Sequence, residues 1–381
     1  MCDIVVVGGG PVGMRVAQRS AEAGYDTLVL EEHSSIGSPM QCAGLVSPRV
    51  VEMTGTKNVF MEASAATIHA PDGNELFLDA GEPQAALLDR KRFDREMAES
   101  AIKKGVELRL DCRVTSVRKN RDRPVVHYEK GGKKCETSPR IVVGADGPTS
   151  IVRRGGGMGK PKYMLASVQG LVGYKTEEIH IYLGNEVAPG FFLWEVPHPE
   201  GALVGLASED GKVYELLKRH LSRKGWKNKS ISLYSGSIPL GLLNNTVDNG
   251  LMLVGDAACQ VKPLSGGGLY TGLLSADICG DTLIRALERE DTSKEFLYTY
   301  HEAWQKNIGV EISKGLWMRR IFKDLTDRQL NDLINILNNE RVIKVIRERG
   351  DIDYPSALAG PVFKSAPKLL KFAGPIIKGL F

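Results

Sequence analysis

Residues 1–31 constrain the fold more than any other stretch of this chain. Residues 4–7 are an unbroken apolar run, the mark of a strand buried on both faces of a parallel sheet. Gly8-Gly9-Gly10-Pro11-Val12-Gly13 follows, with the spacing G-x-G-x-x-G. A helical pattern (Met14, Val16, Ala17, Ala21) runs to Gly24, and a second apolar run at 27–30 ends on Glu31. Each residue type has a mechanical job. Gly8 permits the tight strand-to-helix turn, Gly10 lets a pyrophosphate approach the backbone, and Gly13 lets the helix pack close to the strand. Glu31 is placed to accept hydrogen bonds from an adenosine ribose. Strand, glycines, helix, strand and acid in this order predict dinucleotide binding.

At 381 residues the chain exceeds one small core, so two or three subdomains are expected. A net charge of +4 gives no argument for a nucleic-acid partner. Cys2, Cys42, Cys112, Cys135, Cys259 and Cys279 contain no C-x-x-C pair, and the histidines have no ligand spacing, so no metal site is expected. One redox-active cysteine stays open. No apolar run reaches the roughly 20 residues that span a bilayer. With the first buried strand starting at about residue 3, no signal peptide is expected either. The expected location is cytoplasmic, peripheral on the inner face of the cell membrane.

Beyond Glu31, residues 36–48 form a Gly/Ser/Pro-rich loop too long for a simple turn, and such loops are usually functional. Residues 67–79 read as a hairpin around Asp72-Gly73, and a helix is expected from about Phe93 to Lys104. A buried strand at 140–143 runs into Gly144-Ala145-Asp146-Gly147. Alternating stretches at 179–183, 191–196 and 202–207 indicate a mostly antiparallel sheet. Residues 250–256, Gly-Leu-Met-Leu-Val-Gly-Asp, return to the buried parallel pattern, so the first domain is discontinuous. The expected organisation is a cofactor domain from 1–60, 85–160 and 240–292, a substrate sheet from 61–84 and 161–239, and a helical region over 293–381.

Three separated motifs fit one another: the opening βαβ unit, Val143 to Ser150, and Leu253 to Ala258 with Pro263-Leu264-Ser265-Gly266-Gly267-Gly268 after it. An aspartate at the carboxyl end of a buried strand lies where ligands bind in open α/β sheets. Asp256 reads as an acceptor for a ribityl hydroxyl or as a helix N-cap. The following glycines offer a second helix N-terminus to an anionic oxygen. Arg90, just ahead of the expected helix, reads as a fork for pyrophosphate oxygens or as a solvated charge.

On these motifs the chain resembles the glutathione-reductase-type flavoproteins of the p-hydroxybenzoate hydroxylase branch, over about residues 2–284. The resemblance implies an α/β architecture: a Rossmann-like FAD domain, an antiparallel substrate sheet and a helical C-terminal region. More narrowly it is similar to the archaeal geranylgeranyl reductases, through Gln41-Cys42-Ala43-Gly44 and Pro189-Gly190-Phe191-Phe192-Leu193-Trp194-Glu195-Val196-Pro197. That family's version of the latter is P-x-x-Y-x-W-x-F-P. Here Phe192 stands for the tyrosine and Val196 for the second aromatic, so no phenol hydroxyl is present there.

Carried over residue by residue, the resemblance implies FAD contacts at Gly13, Glu31, Cys42, Ala43, Gly44, Arg90, Val114, Asp256, Gly268 and Leu269, beside Gly8 and Gly10 of the first turn. Cys42 reads as a proton donor next to the flavin or as a small packed residue; a free thiol is protonated near neutrality. Phe192, Trp194 and Pro197 read as the wall of an apolar tunnel or as sheet core. Lys314, with Arg319 and Arg320, reads as a contact for a lipid phosphate or as a solvated helix face. Residues 363–381 carry four lysines among apolar residues and no acid, as in a segment lying at a bilayer interface, or one docked on its own domain.

The implied activity is FAD-dependent reduction of isolated C=C bonds in geranylgeranyl chains of membrane-lipid precursors. Electrons would come from NAD(P)H, reduced ferredoxin or a deazaflavin. The rivals are an aromatic monooxygenase of the same fold and a non-catalytic flavin- or lipid-binding protein.

Overall fold

The computed structural model describes residues 2–40, 42–120, 123–226 and 229–372. The chain divides into two compact units. One comprises Met1–Met40, Arg90–Tyr163 and Pro239–Ser313; the other Gln41–Asp89, Met164–Ile238 and Lys314–Phe381. The helices that follow residue 293 are shared between them.

The first unit is built on a six-stranded sheet ordered Val247–Asp248, Leu251–Leu253, Ile141–Gly144, Ile4–Val7, Thr27–Leu30, Glu107–Arg109. All neighbours are parallel except the first pair. Ile4, Val5, Val6, Val142 and Val143 are wholly buried, which is why these strands read as continuous apolar runs. The helices Pro11–Glu22 and Leu269–Glu288 pack together, tied by Arg15 to Asp277 at 2.7 Å and by an Arg19–Asp281 ion pair. A three-stranded antiparallel meander, Cys112–Arg118, Val125–Lys130 and Lys133–Thr137, joins the same core.

The second unit carries a seven-stranded sheet ordered Ser230–Leu240, Tyr163–Val172, Gly201–Ser208, Leu193–His198, Ile179–Tyr182, Ala65–His69, Glu75–Asp79. From Tyr163–Val172 to Glu75–Asp79 the pairings are antiparallel except Ile179–Tyr182 on Ala65–His69. Leu216, Leu217 and Leu221 of the helix Val213–Arg223 pack with Val168, Val172, Val204 and Leu206. A second cluster joins Leu76 and Leu183 to Leu330, Ile334 and Val342 of the C-terminal helices. Thr326 and Gln329 form a reciprocal capping box at the start of the helix Asp327–Leu337.

Part of the C-terminal segment is docked on its own unit. Ala366, Leu369 and Phe372 are buried in that second cluster, and Lys371 pairs with Asp332 at 2.7 Å. Up to Phe372, therefore, some of the apolar side chains serve the protein's own core, while Leu370 is exposed. Residues 373–381 of the expected interfacial segment lie outside the described residues.

Candidate flavin site and apolar wall

The first unit gathers the three glycine-bearing motifs at the carboxyl ends of its parallel strands. Gly8 has φ of +103°, and a Cβ there would lie 2.4 Å from the carbonyl oxygen of Ala145, in the second motif. A Cβ on Gly13 would lie 2.2 Å from the oxygen of Gly8, so the helix seats on its strand only without a side chain at 13. Val12 packs against the third motif: a Cβ on Gly255 or Gly272 would approach its methyl groups at 3.1 and 2.7 Å. Two loops about 240 residues apart in sequence thus share one turn of packing.

Gly10 differs from Gly8 and Gly13. No atom lies within 4 Å of where its Cβ would be, so the protein leaves the outer side of the turn open for an approaching group. Glu31, 9% exposed at the end of the second strand, accepts from the Gly9 N–H at 2.7 Å and from His33 N and Nδ1 at 2.9 and 2.6 Å. Asp256 sits in the short 3-10 turn Gly255–Ala258. A Cβ on Gly268, at the N-terminus of the helix beginning at Leu269, would be 2.8 Å from Asp256 Oδ1. Among the described residues no N–H or hydroxyl donates to the Asp256 carboxylate. Burial pushes its pKa up to about 6, against the pull of the Arg90 guanidinium. A half-buried carboxylate lacking donors fits a ligand that brings hydroxyls.

Asp146 of the second motif is a cap. It accepts from Ser150 Oγ at 2.5 Å and from the N–H groups of Ile151 and Val152 at 2.6 and 3.2 Å. Burial raises its pKa against those hydrogen bonds. Nothing in the sequence singled out Arg153, which is 4% exposed. It donates to Pro148 O at 2.6 Å and Ala257 O at 2.8 Å, locking the second motif to the third.

The helix that carries Arg90 begins earlier than expected. The helix opens at Arg90 and runs to Lys103, where the sequence reading began it at Phe93. Arg90 forks onto Asp94 four residues later, at 3.0 and 3.1 Å, so its guanidinium has a carboxylate partner of its own. Val114 is buried in the strand Cys112–Arg118.

Cys42, Ala43 and Gly44 belong to the second unit. Gly44 has φ of +81°; its N–H donates to Cys42 Sγ at 3.3 Å and its carbonyl accepts from Leu88 N at 2.9 Å. Cys42 is exposed.

The aromatic motif is split by strand alternation. The strand covers Leu193–His198, leaving Phe191 and Phe192 ahead of it, stacked at 4.3 Å. Phe192 meets Trp194 edge-on at 6.1 Å. Pro197, three residues beyond Trp194, pairs with Ala202 and faces the other side of the sheet with Leu193. It is not in the wall that Phe192 and Trp194 form. Lys314 is exposed on the helix Val310–Phe322. Arg319 is buried, its guanidinium 5.4 Å from the Phe191 ring and bonded to Glu209 at 2.8 Å. It therefore faces its own unit, not a lipid phosphate.

Sequence reasoning also missed a buried polar group on the Pro197 side. Glu195, 2% exposed, accepts from His220 at 2.7 Å and from Tyr182 at 3.2 Å, with Lys224 at 3.6 Å. Burial opposes its ionisation, but His220, Lys224 and Tyr182 together hold its pKa below the ordinary value. Among the described residues no group of three or more His, Cys, Asp or Glu could hold a metal, and no helix is long and apolar enough to cross a membrane.

This fold and this turn define a flavoprotein: residues 1–231 match the FAD binding domain family, and FAD is the cofactor. The chain is 33% identical over 400 aligned positions to digeranylgeranylglycerophospholipid reductase 2 of Methanopyrus kandleri, covering 99% of each. It is 32% identical to digeranylgeranylglycerophospholipid reductase of Methanothrix thermoacetophila, covering 90% of this chain and 93% of that one. The chain belongs to the digeranylgeranylglycerophospholipid reductase family. The crystal structure of a geranylgeranyl bacteriochlorophyll reductase-like protein from Thermoplasma acidophilum shares the fold, with a TM-score of 0.86, 22% identity and 98% coverage of both chains.

Proposed function

We propose that this protein is an FAD-dependent reductase that saturates isolated C=C bonds of geranylgeranyl chains carried on a glycerol phosphate or glycerophospholipid. The observation that carries the reading is the correspondence to a reductase of that name along 99% of both chains. The convergence of Gly8–Gly13, Asp256 and Gly268 at one end of a parallel sheet supports the cofactor half. Bound FAD, when reduced, supplies a hydride from its N5.

The chain's own residues supply the rest. Gly8, Gly10 and Gly13 hold the pyrophosphate turn. Glu31 and Asp256 accept ribose and ribityl hydroxyls, Gly268 and Leu269 present a helix N-terminus, and Phe192 with Trp194 gives the prenyl chain an apolar wall. Cys42, with Ala43 and Gly44 setting its loop, donates the proton that completes each saturation. Since only one dinucleotide turn is present, reducing equivalents come from an external donor: NAD(P)H, reduced ferredoxin or a deazaflavin. A diprenyl lipid is held in the bilayer, so the protein works at the membrane surface, with exposed Lys314 near a lipid phosphate.

The test is anaerobic. Protein reduced with dithionite is incubated with digeranylgeranyl glycerophospholipid, and the lipid is weighed by mass spectrometry. Mass gains in steps of two hydrogens are expected. An unchanged lipid there, together with oxygen consumption on an aromatic compound in a separate aerobic assay, would replace this reading with the monooxygenase one.

A further inference from the structure

The sheet of the second unit carries unpartnered polar atoms on the face that bears Trp194. Gln169, Gly205 and Trp194 are direct cross-strand partners on three adjacent strands, so their side-chain positions line up on one face. Next in the row come Ile181, opposite Trp194, and Ile68 beyond it. Gly205 brings the two larger side chains together: a Cβ there would lie 2.5 Å from Gln169 Cβ and 2.6 and 2.7 Å from Trp194 Cζ2 and Cε2. Gln169 is 4% exposed. Its Nε2 and Oε1 and the Nε1 of Trp194 are all buried, and among the described residues none has a hydrogen-bond partner. Buried amides and indole N–H groups are nearly always satisfied, because an unmet donor or acceptor carries its full desolvation cost. Three such atoms on two side chains that meet beside Gly205, two donors and one acceptor, call for an oxygen-bearing partner.

We infer that Gln169 and Trp194 form a subsite for an oxygen of the prenyl substrate, the one on the first carbon of the chain. This rests on the reductase reading above, which supplies the substrate class. The oxygen accepts from Trp194 Nε1–H and Gln169 Nε2–H; where it is a hydroxyl, it also donates to Gln169 Oε1. An ether oxygen meets the two donors only. A hydrocarbon meets none and leaves all three atoms unpaired, the situation in which polar sites discriminate most strongly. The subsite therefore fixes where along the apolar wall a chain begins, which in turn fixes which double bond is presented for reduction.

Equilibrium binding to the FAD-loaded full chain tests this with three probes: geranylgeraniol, its methyl ether, and the same chain with no oxygen on its first carbon. The expected order of affinity is alcohol, ether, hydrocarbon, with steps of about tenfold. In Gln169→Leu the alcohol and ether should lose that advantage while the hydrocarbon binds at least as well. Equal affinities of the wild type for all three probes, as when a water alone pairs with these atoms, overturn the proposal. So does an order left intact in Gln169→Leu. If that variant does not fold, the wild-type ranking decides. Binding is read without turnover, so a protein that ranks the probes as expected yet reduces none of them contradicts the reductase reading and not the subsite.

Discussion

The side-chain carbonyl of Gln260 accepts the N–H of Gly255, five residues earlier, at 2.7 Å. Its amide nitrogen donates to Tyr300 Oη at 2.9 Å, and that hydroxyl donates to Leu253 O at 2.7 Å. Gly255 has φ of +65°, so the turn that aims Asp256 is held from behind by a closed, buried network. Tyr300→Phe keeps the ring and removes the hydroxyl, leaving Leu253 O and the Gln260 amide unmet. It should cost about 1–3 kcal/mol of stability and weaken FAD several-fold. Thermal melting and FAD titration check this; unchanged values of both would show the network to be idle.

Asp256 makes flavin binding pH-dependent. Its carboxyl titrates near 6 in the free protein, raised by burial against Arg90. A raised carboxyl pKa means that, without ligand, the native state holds a proton the unfolded chain has released between about pH 4 and 6. Over that window this group makes the apoprotein less stable as pH rises. Ligand hydroxyls donate to the ionised form, so FAD affinity should climb from pH 5 to pH 7. Asp256→Asn should flatten the curve, and an equally steep curve in the variant would assign the dependence elsewhere.

Gly13→Ala drives a methyl group into the oxygen of Gly8, which lies 2.2 Å from the Cβ position. Backbone cannot yield there as a flexible side chain would. We expect about 1–3 kcal/mol of destabilisation and a protein that purifies with little flavin. Gly10→Ala, with open space around its Cβ, should fold normally and lose only flavin. Flavin absorbance per chain separates the two.

Cys42→Ser preserves size and lowers acidity. If the thiol gives the proton, reduction should fall about 100-fold while FAD stays bound. Unchanged turnover would free Cys42 from that role.

Leu369 is 5% exposed in a cluster with Leu330, Ile334 and Val342. Leu369→Ala should cost about 2–4 kcal/mol, and a chain cut after Gly360 should melt earlier still. Vesicle pelleting with lipid-free controls shows separately whether full-length protein meets membranes. If a folded Leu369→Ala variant pellets as well as the wild type, membrane contact does not run through this residue.

The parallel sheet was legible because burial on both faces leaves no room for polar alternation, so residues 4–7, 141–144 and 251–253 announce themselves. The glycines were legible because close approach excludes a side chain. Strand boundaries were less so. Placing the aromatic strand at 191–196 instead of Leu193–His198 hid the fact that Pro197 and Trp194 lie on opposite faces, although a period of two separates them once the strand is known. Arg90 has a carboxylate nearby, in Asp94 one helical turn on, and phosphate and carboxylate make the same demand of a guanidinium, so the sequence alone does not separate the two. The tail stayed open because lysines interleaved with apolar residues suit a bilayer interface and a protein groove equally; its partners at Leu76 and Leu330 are far away in sequence. Gln169 looked like any polar residue in a strand, and only its pairing with Gly205 shows it to be enclosed.

The order of strands in the flavin sheet sets a schedule for the newborn chain. Ile4 has Thr27 as an early partner on one edge, but on the other it pairs with Ile141, and Val142 with Leu251, so one edge of the first strand to leave the ribosome must wait for partners made much later. At about 5–20 residues per second, roughly 10–50 seconds pass before residue 251 is made. Throughout that interval the opening glycines exist without Asp256, Gly268 or the Gln260 brace. The second unit's strands from Ala65–His69 to Gly201–Ser208 are synthesised in the meantime and can pair first. Cofactor capture is thus a late event in this protein's biogenesis, and an apolar Ile4–Val7 strand left waiting is the segment for which a chaperone has most to do.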